Sequence, residues 1–140
     1  MKRLLVFLFL GSLLACQNKD TGPNLPTSDA LYRSWQLTQV LSNGQPVALD
    51  PTPTVVTFPR DGSFRGALPN DGRWCCEPVA FIGSDTSIQF IWDTSSPTCA
   101  LVKCRASVFT PDVAWQITTL NDTTLALTSA TTTLTFAPVR

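Results

Sequence analysis

Five cysteines carry the densest chemistry in the chain: Cys16, the adjacent Cys75 and Cys76, and then Cys99 and Cys104. In an oxidising compartment the last four would form disulfides. Neighbours in an extended strand point to opposite faces, so Cys75 and Cys76 would seek different partners. That favours two bridges from 75–76 to 99–104, each closing a loop of about 25 residues and contributing roughly 3 kcal/mol. Pairing 75 with 76 and 99 with 104 is the competing arrangement, and it needs a strained vicinal ring. A four-thiolate zinc site would need two Cys-x-x-Cys knuckles, which this spacing does not supply. Catalytic redox chemistry wants Cys-x-x-Cys beside a helix start, and that is also missing. No metal or cofactor is expected.

The other reactive side chains are sparse. The chain has 140 residues and no histidine. That removes Ser-His and Cys-His nucleophiles, His general bases and His metal sites. The acids Asp61, Asp71, Asp85, Asp93, Asp112 and Asp122 sit mostly in turn sequences, where a carboxylate bonds its local backbone. A carboxylate pair for glycoside hydrolysis is a weak reading of such scattered residues. Glu77, the only Glu, lies between the cysteine pair and Pro78 and reads as a surface charge. Ten basic side chains balance ten acidic ones without a basic block, so nucleic acid is not an expected partner. A non-enzymatic protein is the expectation.

The N-terminus states a destination. Lys2 and Arg3 give a positive start, and Leu4 to Leu10 form an apolar core. The apolar run to Ala15 is too short for a permanent membrane span, and the pattern is that of a secretory signal. Leu13-Leu14-Ala15-Cys16 resembles the bacterial lipobox, the site recognised by lipoprotein signal peptidase. The resemblance implies a diacylglyceryl thioether on Cys16, cleavage after Ala15 and N-acylation such as with palmitate. Several buried acyl chains make a stable anchor where one is marginal. Gln17 rather than Asp after the Cys resembles the enterobacterial outer-membrane sorting pattern. The expected address is therefore the cell envelope, at the outer membrane, and the expected partner is the membrane. Without Lys2 and Arg3, eight basic side chains face ten acidic ones, so the mature chain is slightly acidic.

The expected organisation is a signal over 1–15, a lipidated flexible tether over 16–29 and a β domain over 30–140. Polar residues, one Gly and two Pro over 17–28 cannot offset the entropy of ordering. Ser28 or Asp29 could cap one helical turn that tucks Leu31 under the domain. From Ser34 onward, short runs rich in Val, Ile, Thr and aromatics alternate with turn signals. Ser34–Val40 places Trp35, Leu37 and Gln39 on one face. Asn43-Gly44 is a hairpin turn. Residues 54–67 read as a second hairpin around Pro59-Arg60-Asp61-Gly62. Further strands are expected over 73–76, 79–82, 88–92, 105–110, 113–120, 123–128 and 132–137, with one short helix over 99–107. The nineteen threonines suit a pleated, half-exposed surface. The fold class is all-β: a small antiparallel meander closed, or nearly closed, into a barrel.

Three stretches carry a family resemblance. They are Leu31-Tyr32-Arg33-Ser34-Trp35, the Phe58-Pro59-Arg60-Asp61-Gly62-Ser63-Phe64 hairpin, and the closing pair Leu125-Ala126-Leu127 and Leu134-Thr135-Phe136. Together they resemble the lipocalin-like lipoproteins of Bacteroidetes-type genomes, with Arg33 where that family often has Gly. That resemblance implies a lipocalin-like barrel able to hold a small apolar ligand. Trp35, Phe58, Phe64, Phe90, Trp92, Trp115 and Phe136 would then line its pocket. The same aromatics could instead simply fill the core of a small barrel. The second resemblance is to the META domain, which has an early Trp-x-Leu. It implies an envelope structural or interaction protein with a filled barrel and no ligand.

Overall fold

The computed structural model describes residues 24–66, 73–95, 99, 102 and 107–140. Among them are eight antiparallel strands: β1 (Ser34–Ser42), β2 (Gln45–Val47), β3 (Val55–Thr57), β4 (Ala80–Gly83), β5 (Ser87–Ile91), β6 (Ala114–Leu120), β7 (Leu125–Ser129) and β8 (Thr132–Pro138). They form one sheet in the order β2-β1-β8-β7-β6-β5-β4, with β3 also paired to β1. The protein is all-β, as the turn-punctuated alternation predicts. The sheet itself does not close. Residues 62–65 reach across the gap between β3 and β4, through the bridges Thr57↔Arg65 and Ser63↔Ala80. The expected return strand over 63–67 is therefore reduced to two isolated bridges on opposite sides of one segment.

Turn chemistry accounts for the tight connections. Asn43 and Gly44 have φ of 50° and 75°, the left-handed pair that a two-residue hairpin between β1 and β2 requires. Gly62 has φ of 79° in the Asp61-Gly62 turn. At Asn121 the side-chain oxygen accepts from the backbone N–H of both Thr123 and Thr124, closing the β6–β7 connection.

Two bulges correct the facing pattern read from simple alternation. The β1–β8 register jumps from Leu37↔Phe136 to Gln39↔Thr135, so Thr38 is the extra residue. Beyond it the alternation inverts: Gln39 is exposed and Val40 packs against the core. Thr118 does the same in β6, where the register jumps from Ile117↔Leu127 to Thr119↔Ala126. Leu120 is thereby turned to the core side and Thr119 to solvent. Strict alternation has a period of 2, and one inserted residue reverses every face after it.

Three segments differ from their expected structure. Arg73–Cys76 is a 3-10 turn, not a strand. Residues 107–110 form no strand, although Phe109 is buried. Asn24–Ser28, expected as flexible tether, lies on the domain: Pro26 is buried and Leu25 packs against the core. The next residues, Asp29–Leu31, form the expected helical turn as a 3-10 turn, and Leu31 is wholly buried. Ser28 makes no side-chain cap there. The short helix expected over 99–107 falls largely outside the described residues.

The core is one cluster, dominated by aromatic side chains. Phe58 meets Phe64, Phe81 and Phe90 at ring-centroid distances of 5.4, 5.2 and 6.2 Å. Phe109 meets Phe64, Phe90, Trp115 and Phe136 at 5.4, 4.4, 6.1 and 6.5 Å. The mostly edge-on and tilted geometries put the positive ring edge against a negative face. Trp35 is fully buried, and its Nε1–H donates to the Leu31 carbonyl at 3.0 Å. The first 3-10 turn is thereby tied to the first strand.

Candidate functional site

Strand direction sorts the molecule into two unlike ends. At one end are three short connections, 58–62, 84–86 and 121–124, together with the 3-10 turn at Asp29–Leu31. At the opposite end, with the hairpin turns 43–44 and 130–131, the chain leaves Gly66 and β5 and re-enters β4 and β6, and the described residues of those two connections include Cys75, Cys76 and Cys99.

The candidate site lies at that second end, where the chain enters β4, leaves β5 and enters β6. It is an open cleft of about 760 Å³. Cys75 and Cys76 border it, Phe90, Trp92 and Phe109 form its apolar wall, and Gln89, Thr94, Ser107, Thr110 and Asp112 add polar groups. Trp92 is half-buried and meets Phe90 edge-on at 6.5 Å. Among the described residues that line the cleft, Asp112 is the one carboxylate. It holds φ of 59°, a left-handed conformation that Asp tolerates better than most residues.

A disulfide joins Cys75 to Cys99, with their Cα atoms 5.2 Å apart. It connects the second 3-10 turn to the segment after β5, across one side of the cleft. Cys76 is also disulfide-bonded, and Cys104 lies outside the described residues. The premise behind the expected cross-pairing was wrong, because 75–76 is a helical turn rather than a strand. Bonding of Cys75 to the 99–104 segment holds nevertheless, since a 3-10 turn also separates the directions of adjacent side chains. Cys16 lies outside the described residues.

The structure places the seven aromatic candidates in two environments. Trp35, Phe58, Phe64, Phe90, Trp115 and Phe136 are buried in the one core cluster, and Trp92 packs against its rim. Phe90 and Trp92 alone of the seven also reach the cleft. Sequence reasoning missed Phe81 and Phe109 as core rings. Phe81 sat in an expected strand and could have been counted; Phe109 follows an irregular segment and shows no periodic signal. The Trp115 Nε1–H is buried with no acceptor among the described residues.

The acids divide by partner. Asp61 accepts from the hydroxyl and backbone N–H of Ser63, and Asp93 does the same with Ser95, as expected of turn carboxylates. Asp85 departs from that expectation. It accepts from Thr27 and Ser28, 58 and 57 residues away. Asp122 pairs with Arg33 at 3.4 Å on the surface, a contact of little energetic weight. Hydrogen bonds hold the Asp61, Asp85 and Asp93 carboxyls below their ordinary range, led by the hydroxyls of Ser63, Thr27 and Ser95 respectively. A depressed carboxyl stabilises the fold above its unfolded-state pKa, and that contribution is lost as pH falls through the folded value. Burial raises the Tyr32 phenol, opposed by the nearby Arg60 guanidinium.

Among the described residues no cluster of three or more Cys, Asp or Glu side chains is arranged to hold a metal ion. None of their helices is long and apolar enough to cross a membrane. No protein-family model, curated protein or solved structure matches the chain.

Proposed function

We propose that the chain is a lipid-anchored, non-enzymatic protein of the bacterial cell envelope, whose β domain recognises its partner by surface rather than by an interior cavity. The observation that carries this reading is the contiguous ring cluster from Phe58 through Phe109 to Phe136, which occupies the barrel interior. Interior carriers need an enclosed volume of about 300 Å³ or more, and packed rings leave that role to the outside of the sheet. The anchoring half rests on the N-terminal residues: the positive start, the short apolar run and Leu13-Leu14-Ala15-Cys16 before Gln17. The outer membrane is the proposed site of attachment.

Cys16→Ser tests the anchor. Wild-type protein is expected to sediment with membranes, and the variant to move to the soluble fraction. A variant that still sediments with membranes overturns the anchor reading.

A second reading keeps the lipocalin-like expectation in altered form, with a small apolar ligand held outside the barrel. The cleft beside Phe90, Trp92 and Phe109 favours it. Native mass spectrometry of protein purified from its own cells separates the two. A small molecule that co-purifies with the wild type and is lost in Trp92→Ala supports the ligand, and its reproducible absence supports surface recognition alone.

A further inference from the structure

The segment Asn24–Leu31 is clamped to the end of the barrel that carries the short turns. The Asp85 carboxylate, in the β4–β5 turn, takes the Thr27 and Ser28 backbone N–H groups at 2.6 and 3.0 Å and the Thr27 hydroxyl as well. Beside it the Gly83 N–H donates to the Asn24 carbonyl at 2.8 Å. A side chain added at Gly83 would meet the Ser87 carbonyl at 2.1 Å, so the turn that presents these groups has room only for glycine. From the neighbouring turn, Arg60 bonds Asp29 at 2.7 Å and lies over the Tyr32 ring at 4.7 Å. The Tyr32 hydroxyl donates to the Pro26 carbonyl. Leu25 rests against Gly62, whose added side chain would meet Leu25 at 3.2 Å. Exposed ion pairs contribute little, but here two turns far apart in sequence hold the same eight residues.

We infer that this strap sets the orientation of the domain on a lipid surface, with the short-turn end toward the bilayer and the disulfide-bordered cleft away from it. The inference rests on the proposed anchor at Cys16. Eight residue steps separate Cys16 from Asn24, a reach of at most about 28 Å. Asn24, the first described residue, sits beside the β4–β5 turn, where its carbonyl accepts from Gly83. Asp85 and Trp92 are seven residues apart along β5, roughly 23 Å at strand spacing. Turning the cleft to the bilayer would need Cys16 and Asn24 drawn about 23 Å apart, most of that reach, and every shorter extension holds the short-turn end closer to the membrane than the cleft. A loose segment over 24–31 would add about 25 Å of slack and let either end approach.

Short-range quenching measures this. Lipidated protein carrying a small fluorophore on a biosynthetically placed residue is bound to vesicles whose headgroups bear a nitroxide quencher. The fluorophore replaces Arg140 at the short-turn end or Thr131 at the opposite end, both exposed. Because β8 separates these positions by about 23 Å, quenching at 140 is expected to exceed that at 131 by at least about threefold. Equal or reversed quenching overturns the inference. Asp85→Ala removes three strap contacts and is expected to erase the difference and open 24–31 to proteolysis, with near-ultraviolet dichroism verifying that the variant folds. A folded Asp85→Ala that keeps both the difference and the protection also overturns it. The anchor reading is scored separately, by the mass of the Cys16 peptide. If that peptide carries no lipid, vesicles with a maleimide headgroup capture the Cys16 thiol and the same two positions are read.

Discussion

Phe109→Ala is expected to lower the free energy of unfolding by about 3–5 kcal/mol. The residue belongs to no strand, yet its ring touches four others and is almost wholly buried. Truncation removes the transfer energy of the ring and leaves a cavity lined by side chains of β5, β6 and β8. Those strands are hydrogen-bonded into one sheet and cannot collapse inward to fill it. For a chain of this size, with a total stability of about 5–15 kcal/mol, such a loss brings the protein near its unfolding threshold. Urea unfolding followed by tryptophan fluorescence checks it, because Trp115 lies 6.1 Å from the Phe109 ring. A loss below about 1 kcal/mol would mean that the 107–110 segment does not pack as described. Phe109→Leu, which keeps most of the apolar volume, is expected to lose less than the alanine variant.

The second large effect belongs to the Cys75–Cys99 bridge. Its removal in the paired variant Cys75→Ala with Cys99→Ala is expected to destabilise the protein by about 3 kcal/mol, from the entropy of an unfolded loop of this length. The sequence separation is 24 residues. The double variant leaves no new thiol to exchange with the disulfide of Cys76. Urea midpoints, compared at equal slope, give the difference. The bridge ties segments beside the cleft rather than core strands, so the near-ultraviolet signal of the buried tryptophans is expected to survive. An unchanged midpoint would overturn the expected loop-entropy contribution of this bridge.

These two residues also mark where the sequence is legible. An expected export signal and an even set of four remaining cysteines lead to an expectation of disulfides, and Cys75 does bond to Cys99. The backbone around Cys75 was not legible, because Arg73–Cys76 carries Trp and Cys, residues at home in a strand, while tertiary placement makes it a 3-10 turn. Phe109 was not legible as a central core ring, since no periodicity runs through 107–110 and only the folded sheet brings β5, β6 and β8 around it. The rings of Phe58, Phe64, Phe90 and Phe136 were legible as inward-facing, and the open question was what they face. The structure answers that Phe58, Phe64 and Phe90 face one another and that Phe136 faces Phe109.

By itself, the sequence determined the all-β class, the hairpin turn at Asn43-Gly44, the burial of Leu31 and most of the aromatic core. Each is a local property: turn residues select φ, and alternation selects a face within a few positions. Only the tertiary structure decided the bulges at Thr38 and Thr118, the seating of 24–28 on the barrel and the partners of Asp85. An inserted residue is visible only against the strand beside it. A carboxylate in a turn looks the same whether it bonds its own loop or a strap 58 residues away, because the choice depends on which segments the fold brings within hydrogen-bonding distance.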